Sequence, residues 1–192
     1  MRPREGQDQG RSHPVSGAVG GGSTGPPHRP GSASGERVTL DEQDRGAWDA
    51  ALVAEGHRLV RERLVAGVAP GRYQILAAIN AVHTFARDAR DTDWSQVVAL
   101  YDQLVRLDPS PIIALNRAIA VAELDGPQVA LAAVGRLEDK LAGYHAYHAT
   151  RADLLRRLGR RHESRVAYDK ATELAGNTAE TAYLTSRRHQ LG

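Results

Sequence analysis

The sequence predicts an all-α protein in which antiparallel helix pairs stack into a solenoid behind a disordered N-terminal tail. Three observations lead there. Hydrophobic residues make up 41% of the 192 but aromatic ones only 5%, so Ala, Leu and Val must fill the core, as in close-packed helices. From Asp44 onward apolar residues recur at helical spacing, with no convincing strand between them. Helix-start and helix-stop residues also return about every 33 positions, at Asp93, Gly126 and Gly159.

Residues Met1 to Gly35 hold nine of the 19 glycines and five of the 9 prolines. Such a segment buries too little apolar area to offset its ordering entropy and reads as disordered. Junction or upstream sequence translated from a mis-set start is the other reading. Domain limits follow: a low-complexity tail over 1–40 and a helical domain over 41–191.

Each helix has its own justification. Trp48, Leu52 and Leu59, with Val53 and Val60 beside them, form the stripe of a first helix starting at Asp44 and ending near Gly67. Tyr73 to Arg87 follows, with Ile75, Leu76, Ile79, Val82 and Phe85 on one side. Asp93 caps a third helix whose Trp94, Val97, Val98, Tyr101, Leu104 and Val105 face inward. Ser110 and Pro111 start the fourth as N-cap and first helical residue, and Asp125-Gly126 closes it. Pro127 opens a helix over 128–137. Tyr144 to Leu158 stops at Gly159, Arg161 to Leu174 stops at Gly176, and Asn177 caps a last helix to about Gln190. Eight helices result.

The period sharpens the architecture. A shift of two units lays Tyr101 on Tyr168, Leu104 on Ala171, Leu107 on Leu174 and Pro109 on Gly176. An aromatic, a small or apolar residue and a helix stop at that spacing match the second helix of a tetratricopeptide repeat of roughly 34 residues. The repeats are degenerate, since Arg151 and Ser164 stand where an apolar residue or Ala is usual. No single pair can hide its apolar face alone, so the units must stack.

Composition excludes several functions. No apolar run approaches the roughly 20 residues of a membrane span, and the N-terminus lacks a secretory apolar stretch. With Cys 0 there is no disulfide framework, thiolate metal site or cysteine nucleophile, and a cytoplasmic location fits. The net charge of +2 sits wholly in the first 35 residues; the rest is formally neutral and a poor trap for a phosphate backbone, so no direct DNA binding is expected.

Chemistry-bearing residues are few. His145 and His148 lie at i and i+3 and have the spacing to share a metal, with a third ligand from His83, His162, Asp153 or a carboxylate elsewhere. No zincin-type Glu lies between them, and half-buried imidazoles bonded to backbone or carboxylate are the expectation. Asp88, Asp91 and Asp93 lack the glycine and terminal glutamate of a calcium loop and read as capping residues. Asn116 and Arg117, polar in an apolar helix, bridge neighbouring helices or clamp a peptide. Arg151, Arg156, Arg157, Arg160, Arg161 and Arg165 form a solvated face or a dock for an acidic partner. With no nucleophile elbow, phosphate loop or Rossmann glycines, no catalysis, cofactor or metal is expected.

"GERVTLDEQDRGAWDAALVAEG", with Leu40, Gln43, Asp44, Arg45, Trp48, Glu55 and Gly56, resembles the segment that follows the DNA-binding domains in one group of extracytoplasmic-function sigma factors. These sigma-70-family proteins carry a C-terminal tetratricopeptide-type extension. The resemblance continues through "GRYQILAAINAVH", "DTDWSQVVALYDQLVRLDPSPIIALNRAIAVAELDGP", "LAGYHAYHATRADLLRRLGR" and "AYDKATELAGNTAE". It implies bacterial transcription regulation through contacts with sigma modules or RNA polymerase. Sigma regions two and four, which would lie ahead of Gly35, are missing. The expected contact residues are Asp44, Arg45 and Trp48 as a docking segment, and Asn116, Arg117, His145, His148, Arg151 and Asp153 as a polar groove. A free-standing tetratricopeptide adaptor binding unrelated peptides and a metal-dependent enzyme are the rival functions.

Overall fold

The computed structural model describes residues 49–65, 67, 69–86 and 88–191. The expected tail over 1–40, the domain start at 41 and the helix start at Asp44 lie outside the described residues. Among the described residues nine α-helices follow one another: α1 Ala50–Val65, α2 Arg72–Phe85, α3 Trp94–Leu107, α4 Pro111–Leu124, α5 Pro127–Gly135, α6 Glu138–Leu141, α7 His145–Arg157, α8 Arg161–Glu173 and α9 Thr178–His189. A 3-10 turn, Ala89–Asp91, precedes α3. No strand occurs among the described residues. The protein is an all-α, degenerate tetratricopeptide-like solenoid, in which each helix packs mainly on its neighbours in sequence.

Short polar side chains set the helix starts. Asp49 Oδ1 accepts from the N–H groups of Ala51 and Leu52 at 2.9 and 3.1 Å. Asp93 Oδ1 accepts from Gln96 N–H at 3.0 Å and from the Ser95 hydroxyl at 2.6 Å, as its capping role requires. Asn177 does the same for Glu180 N–H at 2.9 Å. Ser110 differs: it occupies the N-cap of α4, but its side chain makes no capping bond, and Pro111 starts the helix without needing that donor.

Glycine sets two of the stops. Gly126 and Gly159 adopt φ of 90° and 74°. At Gly159 the chain reverses tightly enough for Arg160 N–H to reach Leu155 O at 2.9 Å, closing the end of α7. A Cβ at Gly159 would meet no neighbour, so the cost of adding one is conformational. Gly159→Ala is expected to destabilise the fold by roughly 1–2 kcal/mol, read as a shift in urea midpoint at unchanged slope.

The expected helix over 128–137 breaks instead. α5 stops at Gly135, a weak helix former, and α6 restarts at Glu138 after a turn closed by Leu137 N–H on Val134 O at 2.9 Å. That break turns Leu141 into the core.

Three apolar clusters run along the stack. Ile75, Ile79, Val97, Tyr101, Leu104 and Ile113 join α2, α3 and α4. Leu115, Ala118, Val134, Leu141, Tyr147 and Leu154 join α4 through α7. Ala152, Leu155, Ala167, Tyr168, Ala171 and Leu184 join α7, α8 and α9. The central helices α4 and α7 therefore each serve two cores. Tyr101 and Tyr168 are both buried, as are Leu104 and Ala171, so the two-unit correspondence holds at those positions. Leu107 does not follow it and is exposed. Ser164 is fully buried because its hydroxyl donates to Ala152 O at 2.8 Å, which accounts for a polar residue at an Ala site.

α1 packs through the Val53 and Val60 side of the expected stripe, with His57 at its centre, rather than through Leu52 and Leu59. Leu52 and Leu59 are 67% and 52% exposed, whereas His57 is only 8% exposed, with Val53 and Val60 partly buried beside it. The His57 ring stacks on Phe85 at 3.6 Å and 8°. Thr84 Oγ1 donates to Asn80 O or Ala81 O, so His57 Nε2–H is the donor in its 2.7 Å bond to Thr84 Oγ1. Burial first, then the charge of Arg61, pulls the His57 pKa below its usual 6.5. The sign follows: the folded state resists protonation, so this contribution is complete above about pH 6.5 and is lost as pH falls through the depressed value. A ring-proton titration of His57 should give a midpoint below that of unfolded protein. His57→Phe should flatten the matching fall in stability between pH 7 and 5.

Candidate functional site

The side chains expected to form one polar groove are distributed over several environments. Asp44, Arg45 and Trp48 lie outside the described residues. Asn116 is 4% exposed, and its Oδ1 has no hydrogen-bond partner among the described residues. Arg117 bridges helices, as one of its two readings required: its Nε donates to Asp102 Oδ1 of α3 at 2.6 Å. His148 Nε2 donates to Ala142 O at 2.7 Å, and the edge of its ring meets Tyr147 at 5.0 Å. His145 Nδ1 lies 3.7 Å from Glu180 Oε2 on α9. The two imidazoles thus have separate partners, one backbone and one carboxylate. Arg151 acts electrostatically on Tyr147 and on Glu163 of α8, away from the Asp153 side of α7.

Asp153 is the member that sits among facing charges. Its Oδ1 accepts from Arg156 Nε at 3.0 Å and Nη2 at 2.7 Å, and Arg187 Nη2 of α9 stands 3.9 Å away. On the opposite flank of α7, Arg157 donates to Glu123 Oε1 at 2.5 Å and to Ala122 O at 3.0 Å, both at the end of α4. Glu123 to Arg157 and Asp153 to Arg187 are each 34 residues apart, which is one repeat. The Glu123–Arg157 pair ties α4 to α7, and the looser Asp153–Arg187 contact brings the next equivalent helix, α9, alongside. Partly exposed pairs of this kind are worth about 0–1 kcal/mol each, so their main effect is to fix register. Ala146, Thr150, Asp153 and Arg157 fall at i, i+4, i+7 and i+11 on α7, a stripe of small and charged residues flanked by α4 and α9.

Glu123, Arg187 and Tyr183 were not among the sequence candidates. A signal for the first two was present, because opposite charges sit one repeat apart. The Arg187 guanidinium lies 5.8 Å from the centre of the Tyr183 ring. No such signal marked His57, whose place is set by Phe85.

Two phenols, Tyr101 and Tyr144, are held neutral. Burial pushes Tyr101 up to about 12, and burial followed by Glu180 pushes Tyr144 up to about 12. Among the described residues no three His, Asp or Glu side chains converge as a metal site would need. No described helix is long and apolar enough to cross a membrane.

No protein-family model matches the chain. It is similar to an uncharacterized protein of Rhizobium meliloti (strain 1021), with 43% identity over 152 residues, 79% of this chain and 36% of that protein. The chain thus spans about a third of that relative's length. Among solved structures, the NMR structure of the first TPR domain of the human RPAP3 protein aligns with a TM-score of 0.49 at 19% identity. That alignment covers 63% of this chain and 94% of the domain. Neither comparison links the chain to a sigma factor.

Proposed function

We propose that the described helices are a protein-recognition module without catalysis of its own, an adaptor of tetratricopeptide type acting in the cytoplasm. One observation carries this reading: equivalent helices α4, α7 and α9 lie side by side one repeat apart, with a continuous, partly exposed stripe of small and charged residues along α7. A side-by-side array of helices offers an extended segment a row of contacts rather than an enclosed chamber for a small substrate. The test is capture on an array of acidic, neutral and basic peptides. Selective retention by the intact chain supports recognition. Failure to retain any peptide, together with measurable turnover of any substrate, would defeat it.

The second reading, a regulatory extension of an extracytoplasmic-function sigma factor, is favoured by the resembling blocks from Gly35 to Glu180. Its partner would be a pair of sigma DNA-binding modules or RNA polymerase. Co-purification at low salt with separately expressed sigma modules separates the two readings. Association supports the sigma reading, and its absence with retained peptide capture leaves the adaptor.

A further inference from the structure

We propose that the α7–α9 face receives a carboxylate of an acidic peptide segment, with Arg187 as its principal donor. The proposal rests on the reading of the chain as a protein-recognition module and names the chemistry of its partner.

The argument begins with an imbalance of charge. Three guanidiniums, Arg156, Arg157 and Arg187, share two carboxylates, Glu123 and Asp153. Glu123 is taken by Arg157. Asp153 Oδ1 already accepts two hydrogen bonds from Arg156, at 3.0 and 2.7 Å. Arg187 is left at 3.9 Å from that oxygen, beyond hydrogen-bonding distance. It makes no hydrogen bond to any other described residue, yet its side chain is only 26% exposed. A half-buried guanidinium with its donors uncommitted is an energetic opening. A carboxylate that accepts two parallel N–H bonds would close it, because the planar fork matches that geometry.

The surroundings favour an anion carried on a peptide. The Tyr183 ring lies beneath the guanidinium and helps hold its plane. On the α7 stripe that carries Asp153, Ala146 and Thr150 are small and partly exposed, as a segment lying along the helix would require. A nucleic acid fits less well. Its affinity comes from many phosphate contacts, and this face offers one uncommitted guanidinium, which matches a single carboxylate.

The probe is a fluorescein-labelled, glutamate-rich decapeptide, followed by anisotropy against the intact chain at low salt. Its glutamine counterpart serves as the uncharged comparison. The glutamate peptide should bind at least tenfold more tightly than the glutamine one. Arg187→Gln should weaken it at least fivefold, Arg187→Lys should lose part of that, and Arg106→Gln, an exposed arginine on α3, should change it less than twofold. Circular dichroism checks that each variant is folded.

Equal binding by the parent chain and Arg187→Gln overturns the proposal. So does an equal loss in Arg106→Gln, or displacement of the peptide by a single-stranded oligonucleotide at lower concentration than by unlabelled peptide. If the chain retains neutral or basic array peptides while ignoring the glutamate probe, the carboxylate assignment fails and protein recognition stands.

Discussion

Tyr147→Ala is expected to remove roughly 3–5 kcal/mol of stability, the range for emptying a buried aromatic site. Tyr147 is fully buried among Leu115, Val134, Leu141 and Leu154, where four helices meet. In a domain of this size that loss lowers the melting temperature by roughly 10 °C or more. The companion variant tests the reason. The Tyr147 hydroxyl has no hydrogen-bond partner among the described residues, so Tyr147→Phe removes an uncompensated polar atom while keeping the ring. It should cost nothing and add about 1 kcal/mol. A loss in Tyr147→Phe comparable to that in Tyr147→Ala would show that the hydroxyl has an energetic role and that the packing argument is wrong.

Leu104→Ala should cost about 2–5 kcal/mol. Leu104 is fully buried between α2, α3 and α4, yet its repeat equivalent, Ala171, is equally buried against α7 and α9. The same position thus holds a large side chain in one unit and a small one in another. Helices at Ala171 must approach more closely, so Ala171→Leu should also destabilise, by about 1–3 kcal/mol, through overpacking. Urea unfolding of both variants checks the pair. Should Ala171→Leu prove stabilising, the two sites would not be packed to their own volumes.

Much of this architecture was legible in the residues, for identifiable reasons. The stops at Gly126 and Gly159, the caps at Asp93 and Asn177 and the inward faces of α2 and α3 depend on local chemistry and spacing, which a linear pattern preserves. The α5–α6 break escaped because Gly135 weakens a helix without forbidding it, and Leu141 decides the outcome through tertiary burial. The centre of the α1 contact face escaped because a histidine occupies it, and an imidazole counts as apolar only once Phe85 is stacked on it. At the candidate site, residue types suggested a metal-sharing pair at His145 and His148 as one option. Their actual partners, Glu180 and Ala142 O, depend on how α7 is rotated between its neighbours. The one-repeat spacing of Asp153 and Arg187 was there to read, but not that Arg156 takes the Asp153 carboxylate first, which also depends on that rotation.

Because α4 and α7 each belong to two of the apolar clusters, neither can loosen without disturbing both sides of the stack. α1, in contrast, rests chiefly on α2. Disorder should therefore enter from the outer helices and travel inward like an opening zip, with the slowest amide exchange in α4 and α7. A ligand gripping α9 against α7 would add a second anchor to a helix that otherwise rests chiefly on α8. Its effect on proteolytic lifetime should then exceed what its own few contacts suggest, because the stack unravels from the extremity it holds.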